Sequence, residues 1–169
     1  FQMLGEVGWE LIDSIGIDVI GAWGKNNMFG FNNHSPYKEW KTPWGQRVMV
    51  PLSFNTTTDA NGDLLMYPEG DTSVPPCAKM PKASYFFDAI IRQDAIVEEE
   101  LDIENNLQEF GLISEADLEH WRVEVDKAYF SGKAVIAAFG GTALGDIALV
   151  PGMNLKAPKG IRDVAEWYM

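Results

Sequence analysis

The segment from Asn61 to Gln93 constrains the fold of this chain more than any other part of the sequence. It holds too much proline and glycine for a helix, yet it carries large apolar side chains, each of which forfeits roughly 1.5–3 kcal/mol when it is left in water. These side chains are Tyr67, Met80, Tyr85, Phe86 and Phe87. The pattern predicts a long, ordered aromatic loop, which is typical of a lid, a binding wall or an interface.

Composition indicates a single globular domain. The chain has 169 residues, of which 46% are hydrophobic, enough for a core of its own. No apolar run approaches the ~20 residues that a membrane span needs, and no cationic stretch followed by an apolar one opens the sequence. The net charge of −12 would repel a phosphate backbone, so we expect neither a membrane nor a nucleic acid as a partner. The single cysteine, Cys77, suits a reducing cytoplasm, where we expect the protein to reside.

Both ends of the sequence are unusual. The chain begins Phe1–Gln2–Met3–Leu4 without an initiator methionine, and it stops at Trp167–Tyr168–Met169 within a predicted amphipathic helix. We therefore expect the sequence to be a piece of a longer protein.

The order of the predicted elements is typical of an α/β fold. A helix with Leu4, Val7 and Leu11 on one face ends at Gly16, and the apolar run 17–23 follows as a strand buried on both sides, as in parallel sheets. Ser114 and Asp117 form a capping box that begins a second helix. The other predicted elements are helices over 95–110 and 161–169 and a second buried strand over 134–139.

A loose hairpin interrupts this pattern. Arg47–Phe54 predicts one strand, Asn61–Gly62 predicts a turn, and Leu64–Tyr67 predicts the returning strand. The hairpin and the aromatic loop together predict an excursion from the main sheet over residues 46–94.

The first candidate site follows the first predicted strand. In parallel α/β folds, the loops after the strands hold the chemistry. Lys25, Asn26 and Asn27, which come directly after Trp23, have the cation and amides that suit an anionic or carbonyl-bearing ligand. They also suit an ordinary loop in which polar side chains satisfy the backbone.

The second candidate site follows the strand predicted over 134–139. Glycines at 140 and 141 allow a ligand to approach the backbone, Thr142 adds a hydroxyl group, and Asp146 is a candidate base. The spacing matches no dinucleotide-binding or P-loop motif. A plain tight turn explains these residues equally well.

Further titratable residues have weaker patterns. His34, His120 and Cys77 stand at spacings unlike those of a closed zinc site, and His120 on its helix is more typical of a structural residue. A nucleophilic Cys77 lacks an identifiable base. Asp71, Asp88 and Arg92 flank the aromatic loop, either as substrate-facing groups or as an ion pair that holds the loop shut.

Several segments resemble a known family. They are GIDVIGAWGKNNMFGF (16–31), GDLLMYPEGD (62–71), MPKASYFFDAIIRQ (80–93), FGGTALGDIALVPG (139–152) and KGIRDVAEWYM (159–169). Together they resemble the uroporphyrinogen decarboxylase superfamily, and more closely its anaerobe branch of corrinoid-dependent methyltransferases and O-demethylases. The likeness spans nearly the whole chain.

The resemblance implies a partial (β/α)₈ TIM barrel in which residues 1–169 form part of one domain and residues 46–94 form an insertion above the barrel mouth. It implies a corrinoid carried by a partner protein, a small-molecule methyl donor, and a zinc ion held outside this segment, with no metal ligands within it. Porphyrin decarboxylases of the superfamily have an arginine-rich motif that is absent here, and Trp23 stands nearest to the position of their catalytic aspartate.

With this resemblance, the residues that the loop positions and the aromatic segment single out become candidates for particular roles. The substrate-binding set is Trp23, Lys25, Asn26, Asn27, Tyr67, Tyr85, Phe86, Arg92 and Thr142, and the candidate catalytic residues are Asp146 and Asp88. The aromatic members would wall an apolar pocket, and the polar ones would anchor the ligand. The favoured function is methyl transfer between a small methylated substrate, such as a methoxylated aromatic, and a corrinoid protein. The alternatives are tetrapyrrole decarboxylation and non-catalytic binding of a tetrapyrrole or a corrinoid protein.

Overall fold

The computed structural model describes residues 7–108, 111–137 and 152–169. The chain divides into two compact units. Among the described residues, 26–108, 111 and 152–169 form the antiparallel unit, and 7–25 and 112–137 form the parallel unit, named after the sheets that they contain.

The described residues form short strands and three α-helices. The strands are β1 (Val19–Ala22), β2 (Tyr37–Lys41), β3 (Arg47–Pro51), β4 (Thr56–Thr58), β5 (Leu64–Met66), β6 (Ala78–Met80), β7 (Asp88–Ala89) and β8 (Ala134–Ala137). The helices are α1 (Trp9–Ser14), α2 (Glu115–Phe130) and α3 (Val164–Tyr168).

The parallel unit consists of α1, β1, α2 and β8. Strands β1 and β8 pair in parallel, with Ile20 opposite Val135, and α2 packs against both. The predicted capping box is confirmed, because Ser114 Oγ accepts the backbone N–H of Asp117 and the Asp117 carboxylate accepts the N–H of Ser114. Lys133, directly before β8, contacts the segment before β1, since its ammonium group donates to the carbonyl oxygen of Ile17 at 2.9 Å.

The antiparallel unit contains a two-stranded sheet, β2–β3, and a four-stranded meander in the order β4–β5–β6–β7. The turn Thr42–Pro43–Trp44–Gly45 joins β2 to β3, and Gly45 takes the positive φ that such a turn requires. The predicted turn at Asn61–Gly62 is confirmed as the connection of β4 to β5. The carboxylate of Asp59 accepts the backbone N–H groups of Asn61 and Asp63 there.

The hydrophobic core of the antiparallel unit lies between its sheets and loops. Its buried members are Phe31, Val50, Phe54, Met66, Cys77, Ala78, Met80, Phe87 and Met153. Trp40 packs edge to face on Phe54, with ring centroids 5.2 Å apart, because alternate residues of β2 face the core. The segment predicted to be an excursion therefore supplies much of this core.

The predicted partial (β/α)₈ barrel is wrong. Most of the described strands belong to small antiparallel sheets, and the parallel sheet that the described residues form has two strands only. The apolar runs misled the prediction, because a parallel strand in a barrel is buried on both faces, whereas Val135 and Ile136 of β8 stay exposed by 41% and 62%. Residues 46–94 were predicted to be an insertion above the barrel mouth, and without a barrel this description no longer applies.

The predicted hairpin partners are also wrong. Strand β3 pairs with β2 across the four-residue turn at Thr42–Gly45, and β5 pairs with β4 across Asn61–Gly62. The β2–β3 and β4–β5 connections are shorter than the predicted one, and closing a short loop costs less conformational entropy.

The helix predicted over residues 95–110 is absent from the described part of that range. Two short 3₁₀ turns, Glu98–Glu100 and Ile103–Asn106, occupy it instead. Glu100 and Glu104 would face each other four residues apart on a helix, where like charges repel, and exposed Leu101 and Ile103 give the segment no buried face to offset that repulsion. The last helix, predicted from residue 161, is confirmed in a shorter form as α3.

Candidate functional site

Two turns of the antiparallel unit bring aromatic rings together at the surface. Trp44 in the β2–β3 turn meets Tyr85 in the β6–β7 connection edge to face, with ring centroids 4.9 Å apart and planes inclined by 62°. Phe86 follows Tyr85 on the same connection and is 47% exposed. We call Trp44, Tyr85 and Phe86 the aromatic platform. Tyr85 and Phe86 were predicted to bind substrate, and Trp44 was missed, although its place in a Thr-Pro-Trp-Gly turn signals an exposed ring.

Hydrogen bonds fix the connection that carries the platform. Ser84 donates its backbone N–H to the carbonyl oxygen of Pro81 at 2.8 Å, and its hydroxyl accepts the N–H of Phe86 at 3.2 Å. The carboxylate of Asp63 accepts the N–H of Lys82, and that bond lowers the pKa of Asp63 from its ordinary value. The exposed rings therefore stand on a defined turn.

The other predicted wall residue lies inside the fold. Tyr67 is only 8% exposed, and its hydroxyl shares a 2.7 Å hydrogen bond with the hydroxyl of Thr57. Phe87 is 3% exposed and packs on Phe54 in the core. The aromatic loop thus divides into buried rings that stabilise the unit and exposed rings that are free to contact a ligand.

The four residues predicted to form a site after β1 belong to different units. Trp23 and Lys25 belong to the parallel unit, where both are exposed. Asn26 and Asn27 belong to the antiparallel unit, and the side-chain oxygen of Asn27 accepts the backbone N–H groups of Phe29 and Phe31. The side-chain oxygen of Asn27 therefore closes a local turn.

His120 is a residue of this region that sequence reasoning set aside. Its Nε2 lies 2.9 Å from the carbonyl oxygen of Trp23, which accepts, so Nε2 carries the proton. The pKa of nearby Asp117 is lowered, first by its hydrogen bonds with Ser114 and then by the electrostatic influence of Lys25 and the His120 ring. A cation, an imidazole and a carboxylate thus gather at the end of β1.

Arg92 acts as a clamp in the structure. Its Nη1 donates to the carbonyl oxygen of Leu155 and its Nη2 to that of Gly152, both at 2.7 Å. Burial lowers the pKa of the guanidinium. The residue also lines an open cleft of about 280 Å³ between segments 92–105 and 158–160.

The two predicted acids beside the loop differ in setting. Asp71 pairs with Lys156 across a 2.8 Å hydrogen bond, while Asp88 lies exposed in β7. Lys156 also approaches Glu69 at 3.7 Å. The candidate residues Thr142 and Asp146 lie outside the described residues.

Cys77 has the setting of a structural thiol. It is fully buried, and burial raises its pKa to about 11, so the nucleophilic thiolate is suppressed at neutral pH. Its Sγ donates to the carbonyl oxygen of Met66 at 3.5 Å. Within the described ranges, no three His, Cys, Asp or Glu side chains gather as a metal site.

Of the helices that the structure describes, none has the length and apolarity to cross a bilayer. Comparisons with protein-family models, with curated proteins and with solved structures find no match to this chain. The resemblance to the uroporphyrinogen decarboxylase superfamily therefore stays a prediction from the sequence motifs.

Proposed function

We propose that this chain serves methyl transfer between a small methylated substrate, such as a methoxylated aromatic, and a corrinoid protein in the cytoplasm. The reaction class comes from the sequence motifs and not from the fold. The corrinoid is carried by the partner protein, and any zinc ion is held by residues other than those described. The share of this chain is to bind the aromatic ring of the substrate.

The observation that carries the proposal is the exposure of the aromatic platform. Tyr85 is 59% and Phe86 47% exposed on a turn that hydrogen bonds fix, directly beside Phe87, which is buried. Exposed rings forfeit hydrophobic free energy that a bound ring restores, and an aromatic pair adds about 0.5–1.5 kcal/mol through its preferred geometry. A flat, electron-rich methoxyarene satisfies both conditions.

The test combines the protein with a reduced corrinoid protein and a panel of methyl donors. We expect methoxylated aromatics to produce the absorption of methylcobalamin. Replacing Trp44 or Phe86 with alanine should raise KM for these donors more than it changes kcat, because the platform binds the ring and does not touch the methyl group. Absence of methylcobalamin with every donor of a broad panel would overturn the proposal.

A matched control is present on α2. Tyr129 and Phe130 form another exposed aromatic pair, with ring centroids 5.5 Å apart, and they belong to the parallel unit. Tyr129→Ala removes a comparable ring, and we expect it to leave KM unchanged.

A second candidate function is non-catalytic binding of the corrinoid protein, which the same exposed platform favours. Replacing residues 82–86 with a glycine-serine linker distinguishes the two. Loss of corrinoid-protein binding in this variant of a chain that produces no methylcobalamin with any donor would support the binding role. Tetrapyrrole decarboxylation is the third possibility from the sequence, and release of carbon dioxide from uroporphyrinogen would support it.

A further inference from the structure

A second exposed indole stands at the end of β1, and its surroundings hold it in one place. Trp23 is 58% exposed, which is unusual for the largest apolar side chain. Two contacts fix the residue, one on its ring and one on its backbone.

The ring contact comes from Gly21. Residues two apart in a strand share a face, and the indole of Trp23 folds back over the bare backbone of Gly21. A Cβ built on Gly21 would stand 2.5 Å from the Nε1 atom of the indole and closer still to Cε2 and Cζ2. Only glycine admits the ring at this position. Gly21 does not take a positive φ, so its backbone conformation alone does not require glycine.

The backbone contact comes from His120. Its Nε2–H donates to the carbonyl oxygen of Trp23 at 2.9 Å, across 97 positions of sequence. Helix α2 begins at a full capping box and packs on β1. The backbone that carries the His120 imidazole is therefore well anchored. The bond fixes the peptide at the point where the strand ends.

We infer that Gly21 and His120 are positioning residues that present the indole of Trp23 as a stacking surface for a planar aromatic ring. An indole that is fixed before binding loses little side-chain entropy when a ring stacks on it. One face of the ring covers Gly21, and the exposed part of the indole offers the π-surface that an offset or edge-on ring prefers. The inference goes beyond the proposed function, since it concerns ring binding by the parallel unit and stands even where no methyl transfer occurs.

The test uses the full chain labelled with 5-fluorotryptophan, in which the Trp23→Phe variant assigns the fluorine resonance of Trp23. The probes are benzyl alcohol and cyclohexylmethanol, which match in size, charge and hydroxyl group and differ in aromaticity. We expect benzyl alcohol to shift the Trp23 resonance and cyclohexylmethanol to leave it in place. Equal shifts with both probes, or none with benzyl alcohol, would overturn the inference.

Variants then test the two positioning residues. Gly21→Ala should displace the indole and weaken benzyl alcohol binding about fivefold, the scale of one aromatic contact. The unfolding temperature should not fall, because glycine within a strand is less stable than alanine. Gly8→Ala is the matched control, since nothing lies within 4 Å of a Cβ there. His120→Ala should broaden the Trp23 resonance and weaken binding, and His120→Gln should restore both by returning an N–H donor. Wild-type binding in the Gly21→Ala and His120→Ala variants would refute the positioning roles.

The assay contains no corrinoid, so its outcome is separate from that of the methyl-transfer test. Methyl transfer without a Trp23 response would remove this inference and leave the proposed function intact. A Trp23 response without methyl transfer would support this inference and overturn the proposed function.

Discussion

The rings of Trp44 and Tyr85 meet edge to face with their centroids 4.9 Å apart, and this contact joins the turns of two separate sheets. Among the described ring contacts, this one connects the β2–β3 turn to the β6–β7 connection. The pair therefore links the β2–β3 hairpin to the meander at the surface, while the core links them inside.

A double-mutant cycle measures this link. Trp44→Ala, Tyr85→Ala and the double variant are unfolded in urea, and we expect a coupling free energy of about 0.5–1.5 kcal/mol, the usual contribution of an aromatic pair beyond its burial. Tyr37 is the control partner, because it stands at the opposite end of the same hairpin. The free energies of unfolding for Trp44→Ala and Tyr37→Ala should add. Additivity in the Trp44–Tyr85 cycle would show that the rings touch without stabilising the unit.

Neighbouring phenylalanines should respond in opposite ways. Phe87 is 3% exposed, so Phe87→Ala should lower the free energy of unfolding by about 3–5 kcal/mol through the lost burial and the cavity left behind. Phe86 is 47% exposed, so Phe86→Ala should cost less than about 1 kcal/mol and act on ligand binding instead. Urea unfolding of both variants checks this difference. Equal losses of unfolding free energy would mean that the turn at residues 81–86 does not bury Phe87 and expose Phe86 as described.

The division between Phe86 and Phe87 shows what the sequence could and could not predict. The segment Asn61–Gln93 was predicted to be a long aromatic loop, whereas β5, β6 and β7 of the meander lie within it. Its turn at Asn61–Gly62 follows from local chemistry alone. Which ring faces inward depends on the pairing of β7 with β6, because a shift by one residue exchanges the two faces. That pairing is a long-range choice that no local pattern records.

The barrel prediction failed for a related reason. Apolar runs such as Ala134–Ala137 predict a strand but not the number of its neighbours. In the structure, β8 pairs with β1 in parallel as the α/β pattern suggests, yet both strands keep apolar side chains exposed. His120 was expected to be structural, but its partner could not be predicted, because backbone acceptors on a distant segment leave no residue-type signature in a sequence.

Two glycines with positive φ should differ sharply in their tolerance of alanine. Gly70 has φ +80°, and a Cβ there would overlap the carbonyl oxygen of Ser53. Gly62 has φ +85°, but its Cβ would meet only the flexible end of Lys82 at 3.4 Å. Both alanine variants carry the left-handed strain of about 1–2 kcal/mol. Gly70→Ala should cost at least about 2 kcal/mol more in urea unfolding, and equal costs would show that the Ser53 backbone moves freely aside.

Stability at alkaline pH should report on Cys77. Burial raises the thiol pKa from 9.0 to about 11 in the folded chain, so the unfolded chain releases its proton first. The contribution of the thiol to stability is therefore complete below about pH 9 and is lost as the pH rises toward 11. The difference between wild type and Cys77→Ala in urea midpoint should shrink over this interval. Since lysines and tyrosines titrate there as well, only this difference is informative, and a constant difference would contradict the burial of the thiol.

Acid stability should depend on the pair formed by Asp71 and Lys156. The 2.8 Å hydrogen bond from Lys156, joined by bonds from Ser73, holds the pKa of Asp71 well below its ordinary value of 3.8. The unfolded chain thus binds the proton more readily, and the stabilisation is present above pH 3.8 and lost as the pH falls toward the folded value. Asp71→Asn should lower the urea midpoint at neutral pH and flatten its fall on acidification.

The control for this prediction is Glu39→Gln, which breaks a wider and more exposed pair with Arg47 at 3.6 Å. An exposed pair of that kind contributes little, so the variant should follow the wild-type pH profile. Raising the salt concentration from about 0.05 M to about 1 M should weaken the Asp71–Lys156 pair and bring wild type closer to Asp71→Asn. If Asp71→Asn loses stability with acid as steeply as wild type does, carboxylates other than Asp71 set the acid limit of the fold.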